Sequence, residues 1–424
     1  MGSNAEPATT GRGRGALAAW LLASLYYFYQ YALRSSPGAM MPQLSESFGL
    51  SVLGTASLVS LFYYSYALCN LAAGPSLDAL GVRAVIPVAA LITAIGAGLF
   101  GTGSLTAAYA GRLLQGAGGT FAIVGAVCIA SENFAPSRAA TLIGATQMFG
   151  MAGGAAGQFL AGPLLARGTA WGSFWVAMGG VGLFVAAALF VFLPKQARKR
   201  RTETSVRPYA RALAVVFRNP QSILCGIIAG LLFIPTTIFD MTWGVRFLQQ
   251  AHGLEYGDAV MRSATVPIGW MIGCPLLGFV SDRLGRRKPV IIAGGCVLMG
   301  CLAWILYGRT SVFPPYALAL LFGIASGAAM LPYTVIKEAN PPNLIGTATG
   351  VINFLNLAFT AILGPVFGWL LQRLSTGAAP GLSHYQMTFR PLLYGVAFAL
   401  LLTFALKETG RAAEQIPIRA REAA

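Results

Sequence analysis

Charged residues are scarce in this sequence. Only 10% of its 424 residues are charged, and just 13 residues are Asp or Glu. A soluble globular domain carries about 25% charged residues, so a soluble protein is excluded. Hydrophobic residues make up 56% of the chain, and the mean hydropathy is +0.67. This composition is typical of a protein that lies mostly within a lipid bilayer.

Residues that commonly carry enzyme chemistry are also scarce. His252 and His384 are the only histidines, and the sequence places both in loops. The six cysteines fall inside apolar segments and lack the spacing of metal ligands. The sequence therefore predicts no enzyme, no metal site and no cofactor.

Long apolar runs recur along the whole chain. A bilayer requires about 20 apolar residues for each helical span, and about twelve segments meet that length. The predicted spans are 16–38, 53–73, 85–103, 106–131, 140–165, 171–193, 221–248, 257–280, 288–307, 313–337, 344–372 and 390–407.

The net charge of +16 is concentrated in the connections on one side of these spans. Examples are "RGR" (12–14), "KQARKRR" (195–201) and "DRLGRRK" (282–288). Cytoplasmic loops of membrane proteins carry an excess of Lys and Arg. The pattern predicts that both termini are cytoplasmic, and it accounts for the basic charge without nucleic acid. The compact loops favour a bacterial inner membrane.

The longest basic, weakly apolar stretch falls near the middle of the chain. It predicts an N-terminal six-helix half at 1–193, a cytoplasmic linker at 194–220 and a C-terminal six-helix half at 221–424 with a short tail. Within the linker, 208–218 is predicted as an amphipathic helix on the membrane surface.

The two halves resemble each other in sequence. "GPSLDALGVR" (74–83) follows the second span, and "GFVSDRLGRR" (278–287) follows the eighth. Both fit G-x-x-x-D-x-x-G-x-R, and Asp78 and Asp282 lie 204 residues apart. Internal repeats of this kind are typical of secondary transporters.

These features together resemble the major facilitator superfamily. "RLLQG" (112–116) in span four is similar to a second signature of that superfamily, R-x-x-Q-G. The resemblance implies an all-α membrane protein with twelve transmembrane helices in two pseudo-symmetric six-helix halves around a central cavity. It also implies alternating access by rocking of the halves, a monomeric unit and no enzymatic chemistry.

The resemblance further implies a charged latch at the cytoplasmic end that holds the outward-facing state. The residues expected to form it are Asp78, Arg83, Glu132, Asp282, Arg286 and Glu338. The alternative is that these charges only cap helices and orient the loops.

Two ionisable residues fall deep inside predicted spans. Arg34 lies in "SLYYFYQYALRSSPGAMM" (24–41), and Asp240 lies in "TTIFDMTWGVRF" (236–247). Each sits about 20 Å from the outer loops, at 1.5 Å per residue. Because such residues are usually functional, we expect both to face the cavity and to form a pair or near-pair. The alternative for Arg34 is snorkelling or a structural ion pair.

Polar and aromatic residues of the expected cavity-lining spans complete the candidate site. The substrate-binding candidates are Arg34, Tyr31, Gln30, Tyr27, Tyr64, Gln115, Asp240, Trp243, Arg262, Asn353 and Asn356. Asp240 and Arg112 are the candidates for proton coupling. Arg262 follows Asp258 by four residues, so a simple helix ion pair remains its alternative. The glycine-rich segment 144–158 is predicted to be a close helix-packing face.

The cations of the expected cavity favour an anionic substrate. The sequence thus predicts a secondary active transporter of a small organic anion, a carboxylate or sugar acid, with proton coupling left open. The expected partners are the anion, the bilayer and protons, without nucleic acid. A broad-specificity exporter, an uncoupled carrier or exchanger, and a receptor built on a transporter scaffold remain alternatives.

Overall fold

A computed structural model describes residues 9–134, 136–193, 206–308, 314–341, 344–375 and 380–410. Side chains are described for these residues except 9–14, 75, 78, 79, 136–141 and 206–209. Residues 194–205 of the predicted linker lie outside the described residues.

The described residues form helices and short connections, without strands. A helix satisfies every backbone hydrogen bond within one segment, which the bilayer core requires. The helices are α1 (Thr9–Ala39), α2 (Met41–Phe48), α3 (Val52–Leu80), α4 (Val82–Phe100), α5 (Leu105–Asn133), α6 (Pro136–Ala166), α7 (Trp171–Phe192), α8 (Val206–Arg218), α9 (Pro220–Ile234), α10 (Val245–His252), α11 (Tyr256–Leu284), α12 (Lys288–Tyr307), α13 (Pro315–Ser326), α14 (Leu331–Glu338), α15 (Ile345–Ser375) and α16 (Leu382–Ala405). A π-helical segment, Pro235–Gly244, joins α9 to α10, and a 3₁₀ turn, Gly327–Met330, joins α13 to α14.

Twelve of these helical stretches account for the predicted spans. Among the described residues, ten are long and apolar enough to cross a membrane, counting Pro220–His252 and Pro315–Glu338 as one stretch each. The other two are α1 and α6, which have 31 residues each. Tyrosines and Arg34 make α1 less apolar, and α6 is rich in glycine. Since these two helices pack against each other, they gain contacts that lipid would not provide.

The spans divide into two halves, α1–α7 and α9–α16. The N-terminal half is held by packing of α4 on α5 and α7, and of α1 on α6, while α11 on α13 and α9 on α15 dominate the C-terminal half. The main contacts between the halves are α3 with α15 and α6 with α11. These are spans two with eleven and five with eight. Spans two and eight are equivalent positions in the two halves, and so are spans five and eleven. Exchange of the halves therefore converts one contact into the other, as a pseudo-twofold arrangement requires. The fold class predicted from the sequence is therefore confirmed.

The halves are in close contact at the end of the bundle where α1 ends. Gly38 lies against the backbone carbonyl of Met241, so a Cβ atom has no room there. The Tyr256 hydroxyl donates a hydrogen bond of 2.6 Å to the Ala39 carbonyl. At the same end, Gly368 packs against the first turn of α3. We call this the closed end of the bundle.

Glycines of α6 allow the backbones of α1 and α6 to come together. A Cβ atom at Gly153 would collide with the Phe28 carbonyl, and one at Gly157 with the Ala32 carbonyl. The Ser35 hydroxyl donates to the Gly154 carbonyl at 2.7 Å across the same contact. The predicted packing role of this glycine-rich segment is confirmed.

This packing generates a prediction about stability. Gly153→Leu forces α1 and α6 apart, and overpacking of this kind destabilises by about 1–3 kcal/mol. We expect a clearly lower melting temperature of the purified protein in detergent. Gly144→Leu is the matched control, because no atom lies within 4 Å of its Cβ position. Equal melting temperatures for the two variants would contradict the packing assigned to α6.

Candidate functional site

Arg34 is enclosed by aromatic rings from both halves. Its side chain is only 3% exposed. The guanidinium carbon lies 4.8 Å from the ring centroids of both Tyr31 and Tyr63, and 5.6 Å from that of Phe233. Because α1, α3 and α9 supply these residues, the cluster lies between the two halves. We call Tyr31, Arg34, Tyr63, Phe233 and the neighbouring Tyr333 the Arg34 cluster.

The positive charge of Arg34 has no carboxylate against it. Its one side-chain hydrogen bond, from Nε to the Tyr63 hydroxyl, is long at 3.4 Å, and its Nη2 has no partner. Among the described residues, no Asp or Glu oxygen lies within 4.0 Å of this guanidinium. Cation–π contacts stabilise a desolvated cation only partly, by about 2 kcal/mol each at best. The guanidinium therefore keeps an unsatisfied donor and an uncompensated charge.

Hydroxyl and amide groups extend the Arg34 cluster on either side. The Tyr333 hydroxyl donates to Asn353 Oδ1 and accepts from Asn356 Nδ2, both at 3.0 Å. The Oδ1 atom of Asn356 is buried without a partner. Tyr27 packs edge-on against Tyr31 at 4.9 Å, and its hydroxyl donates to Gln147. The structure thus brings together Arg34, Tyr31, Tyr27, Asn353 and Asn356 of the predicted set.

Arg112 and Gln115 serve the interior of the N-terminal half. Arg112 is fully buried and donates to the Leu33 carbonyl at 3.3 Å, the Val59 carbonyl at 3.1 Å and Gln115 Oε1 at 2.8 Å. These bonds tie α5 to α1 and α3. Arg112 still lies close enough to repel Arg34 electrostatically, which adds positive potential to the cluster.

Asp240 faces away from Arg34, so the pair suggested by the sequence does not form. The Oδ1 atom of Asp240 accepts a hydrogen bond of 3.0 Å from Ser263 on α11, and Oδ2 has no partner. Arg34 lies one helical turn before Gly38, on the face of α1 that meets Met241. Asp240 precedes Met241 by one residue. Its side chain therefore points roughly a quarter turn away from that of Met241 around the helix axis, toward α11. Arg34 and Asp240 have the same predicted depth in the membrane, but their side chains point in different directions.

Three other predicted binding residues, Tyr64, Trp243 and Arg262, lie outside the Arg34 cluster, whereas Gln30 lies one helical turn before Arg34 on the same face of α1. Tyr64 is 37% exposed, because Tyr63 and not Tyr64 points inward from α3. Gln30 packs beside Gly119 on α5. Trp243 and Arg262 belong to the region around α10 and α11: Trp243 is fully buried next to Arg246, and Arg262 lines a cavity with Asp240.

Sequence reasoning missed two members of the Arg34 cluster, Phe233 and Tyr333, and it named Tyr63 only as one of several tyrosines of span two that could donate a hydrogen bond. One signal for Tyr63 was available, since Tyr63 and Tyr66 are three residues apart and share a face of α3. Nothing in the local sequence distinguishes Phe233 or Tyr333 from other aromatic residues in apolar spans.

The C-terminal charged loop forms an ion-pair cluster around Arg287. Its Nη2 lies 2.8 Å from Glu338 Oε1, and its Nη1 pairs with Asp282. Its backbone N–H donates to Glu408 at 2.6 Å. Burial lowers the pKa of Arg287, but the two carboxylates outweigh burial and raise it above the ordinary value. All these groups belong to the C-terminal half.

The predicted latch residue Arg286 is exposed, and Arg287 makes the ion pairs instead. The sequence repeat contains this information, because Arg83 and Arg287 are 204 residues apart, as are Asp78 and Asp282. In the N-terminal copy, Arg83 donates to the Leu193 carbonyl at the end of α7. The side chain of Asp78 lies outside the described residues.

Glu132 lies in the last turn of α5, at the same end of the bundle as Arg83. Its part in an N-terminal latch stays a prediction.

The geometry around Arg287 predicts its effect on stability. Arg287→Ala removes charge-assisted hydrogen bonds to two carboxylates, each of which contributes about 1.5–3 kcal/mol when buried and less when solvated. We expect a lower melting temperature for Arg287→Ala and an unchanged one for Arg286→Ala, the adjacent exposed arginine. The reverse order would contradict the assignment of the ion pairs.

Known proteins resemble this chain in sequence. The chain is 24% identical to the D-galactonate transporter of Escherichia coli O6:H1, over 90% of this chain and 94% of that protein. It is 26% identical to the 4-hydroxybenzoate transporter PcaK of Pseudomonas putida, over 81% and 83%. It is 28% identical to the YoaB protein of Bacillus subtilis (strain 168). For YoaB and one further relative, the match spans only about half of the relative's length, 48% and 58%.

A solved structure supports the fold independently. The crystal structure of the nucleoside transporter NupG superposes with a TM-score of 0.71 at 16% identity, covering 92% of this chain and 99% of that one. In addition, the sequence matches the Major Facilitator Superfamily over residues 23–365, which is most of the chain. Two halves of six spans, the repeated charged loops and this match lead to one conclusion: the chain belongs to the Major Facilitator Superfamily.

Proposed function

We propose that this transporter moves a small organic anion and that the negative group of the substrate binds Arg34. The observation that carries the proposal is the uncompensated charge: a guanidinium that is 3% exposed, without a carboxylate partner and with a free Nη2 donor. A buried charge is stable only when it is paired or hydrated. A carboxylate of the substrate would supply the missing partner, with two parallel hydrogen bonds to the planar guanidinium.

The surroundings of Arg34 suggest how the rest of the anion is held. Tyr31, Tyr63 and Phe233 offer ring faces and edges, whereas Tyr333 and the free Oδ1 of Asn356 offer polar contacts. Such a site suits a carboxylate that carries hydroxyl groups or an aromatic ring. The relatives named for D-galactonate and for 4-hydroxybenzoate fall in these two classes of acid, which supports a sugar acid or an aromatic acid as substrate.

The route of the substrate follows from the predicted orientation. With both termini in the cytoplasm, the closed end of the bundle faces outward, because α1 starts inside and ends there. Because the halves meet at that end, the anion site would be closed to the outside in this state. The two halves, 1–193 and 221–424, would rock about the Arg34 cluster, so that the closed end opens while the opposite end closes. Residues 194–220 would be the connecting linker. A bacterial inner membrane remains the expected location.

Transport assays test the proposal directly. Purified protein in liposomes is offered radiolabelled carboxylates, with D-galactonate and 4-hydroxybenzoate first, together with neutral and cationic compounds. Arg34→Ala should abolish anion uptake and weaken binding by about 2–3 kcal/mol, or roughly 30- to 150-fold in Kd. Arg34→Lys should retain part of the binding, because the charge remains but the planar fork is lost.

Arg373→Ala is the matched control, since Arg373 is an exposed cation that stacks on Trp369 outside the site. This variant should transport like the unmodified protein. Uptake of cationic or neutral compounds alone, or anion binding that is indifferent to Arg34, would overturn the proposal and favour a broad-specificity exporter.

A further inference from the structure

A cavity inside the C-terminal half is separate from the Arg34 cluster. It encloses about 610 Å³ including its open mouth. Its walls come from the π-helical segment, α10, α11, α12 and α13, so every lining residue belongs to the C-terminal half. No residue of the Arg34 cluster contributes to these walls. An occupant of this cavity would therefore not touch the anion site.

The cavity runs inward from the closed end of the bundle. His252 ends α10, Gly308 follows α12, and Pro315 begins α13, so the mouth lies at that end. Asp240 lies about three helical turns deeper than His252 along the same wall. A molecule that enters from the closed end passes the apolar residues of the wall first and reaches the carboxyl group of Asp240 last.

Most of the cavity wall is apolar, and aromatic rings form a large part of it. The rings come from three different elements and belong to Phe239, Phe247 and Trp304. Aromatic rings attract one another in edge-to-face and offset arrangements, in addition to the area that they bury. Sites for small molecules usually combine walls of this kind with a few polar groups. The wall therefore favours an occupant that carries an aromatic ring.

The polar groups of the cavity are concentrated around Asp240. This residue is 6% exposed, its Oδ1 atom accepts a hydrogen bond of 3.0 Å from the Ser263 hydroxyl, and its Oδ2 atom has no partner. Gly244 keeps this position open, because a Cβ atom there would lie 2.9 Å from Ser263 Oγ and 3.1 Å from Asp240 Oδ1. A buried acceptor without a hydrogen bond is unfavourable, so a donor group of an occupant would satisfy Oδ2.

The charges on the wall disfavour a charged occupant. Among the described residues, no Asp or Glu oxygen lies within 4.0 Å of the Arg262 guanidinium, and this includes the carboxylate of Asp258. Arg262 therefore keeps its positive charge on the wall and repels a cation, while a carboxylate at Asp240 repels an anion. A neutral hydroxyl group avoids both penalties, because it can donate to a carboxylate or accept from a carboxylic acid.

We propose that this cavity binds a small neutral aromatic alcohol or phenol, with the hydroxyl group on Asp240 Oδ2 and the ring against Phe239, Phe247 and Trp304. A lipid acyl chain would fill the apolar part of the cavity but would leave Oδ2 without a donor, and so it is the less favourable occupant. The site is a second ligand site, and it differs from the anion site in position and in the charge of the ligand that it accepts.

An occupant of the cavity acts on the contact between the halves. Asp240 faces the cavity, and the next residue of the π-helical segment, Met241, makes the backbone contact with Gly38 of α1. Opening of the closed end breaks this contact and displaces the segment, whereas an occupant fills the space on its other side. The bound alcohol therefore restrains the closed end and slows transport without competing for Arg34. This part of the inference rests on the proposed anion transport.

Fluorine NMR of the purified protein in detergent tests the site without any transport substrate, with 4-fluorobenzyl alcohol as the probe. We expect saturable binding. Benzyl alcohol should displace the probe, whereas benzylamine and benzoate, which keep the ring and change the charge, should displace it at least tenfold less effectively. Equal displacement by all three compounds would overturn the proposed class of ligand. Unsaturable partitioning of the probe would overturn the site.

Variants locate the binding. Ala319→Phe fills the cavity and should abolish saturable binding of the probe. Ala317→Phe is the matched control, because Ala317 is exposed two residues earlier on α13. Asp240→Leu should weaken binding at least fivefold, and Arg34→Ala should leave it within twofold of the unmodified protein. Equal binding in the two phenylalanine variants, or loss of binding in Arg34→Ala, would overturn the location.

Uptake of anion into liposomes tests the effect on transport. Saturating 4-fluorobenzyl alcohol should lower the maximal rate at least twofold with an unchanged KM, and Ala319→Phe should not respond to it. A raised KM with an unchanged maximal rate would indicate competition at Arg34 and would overturn the restraint. Binding of the probe to a protein that transports no anion would support the second site and overturn only the proposed function.

Discussion

The buried guanidinium of Arg34 is the constraint on which the rest of the account depends. A cation near the middle of the bilayer is unfavourable by about 3 kcal/mol even on insertion scales, and this one has no carboxylate partner. The fold accommodates it with rings from three helices and both halves. Because each contact is weak, the guanidinium keeps an unpartnered donor. A strong internal ion pair would have occupied the same donors permanently.

The structure separates positive and negative groups that the sequence appeared to pair. Arg34 lies between the halves, whereas Asp240 faces a cavity within one half. The π-helical segment carries Asp240 on one side and the contact of Met241 with Gly38 on another.

Sequence reasoning reached the fold because the bilayer imposes strong rules. Span length, basic loops and the repeat at a shift of 204 residues together led to twelve spans in two halves. Directions of side chains were harder to predict. In the run "YYSY" (63–66), the face that turns inward depends on tertiary packing, and so the sequence alone does not distinguish Tyr63 from Tyr64. The direction of the Asp240 side chain depends on a π-helical segment, which no local sequence pattern predicts.

Charge recognition at Arg34 is the central claim, and one comparison of affinities tests it most directly. The best-bound carboxylate and its neutral amide analogue are titrated into the unmodified protein and into Arg34→Gln. The account predicts that the unmodified protein binds the acid at least tenfold more tightly than the amide and that this preference disappears in Arg34→Gln. An unchanged preference in the variant would contradict the assignment of Arg34 as the anion site.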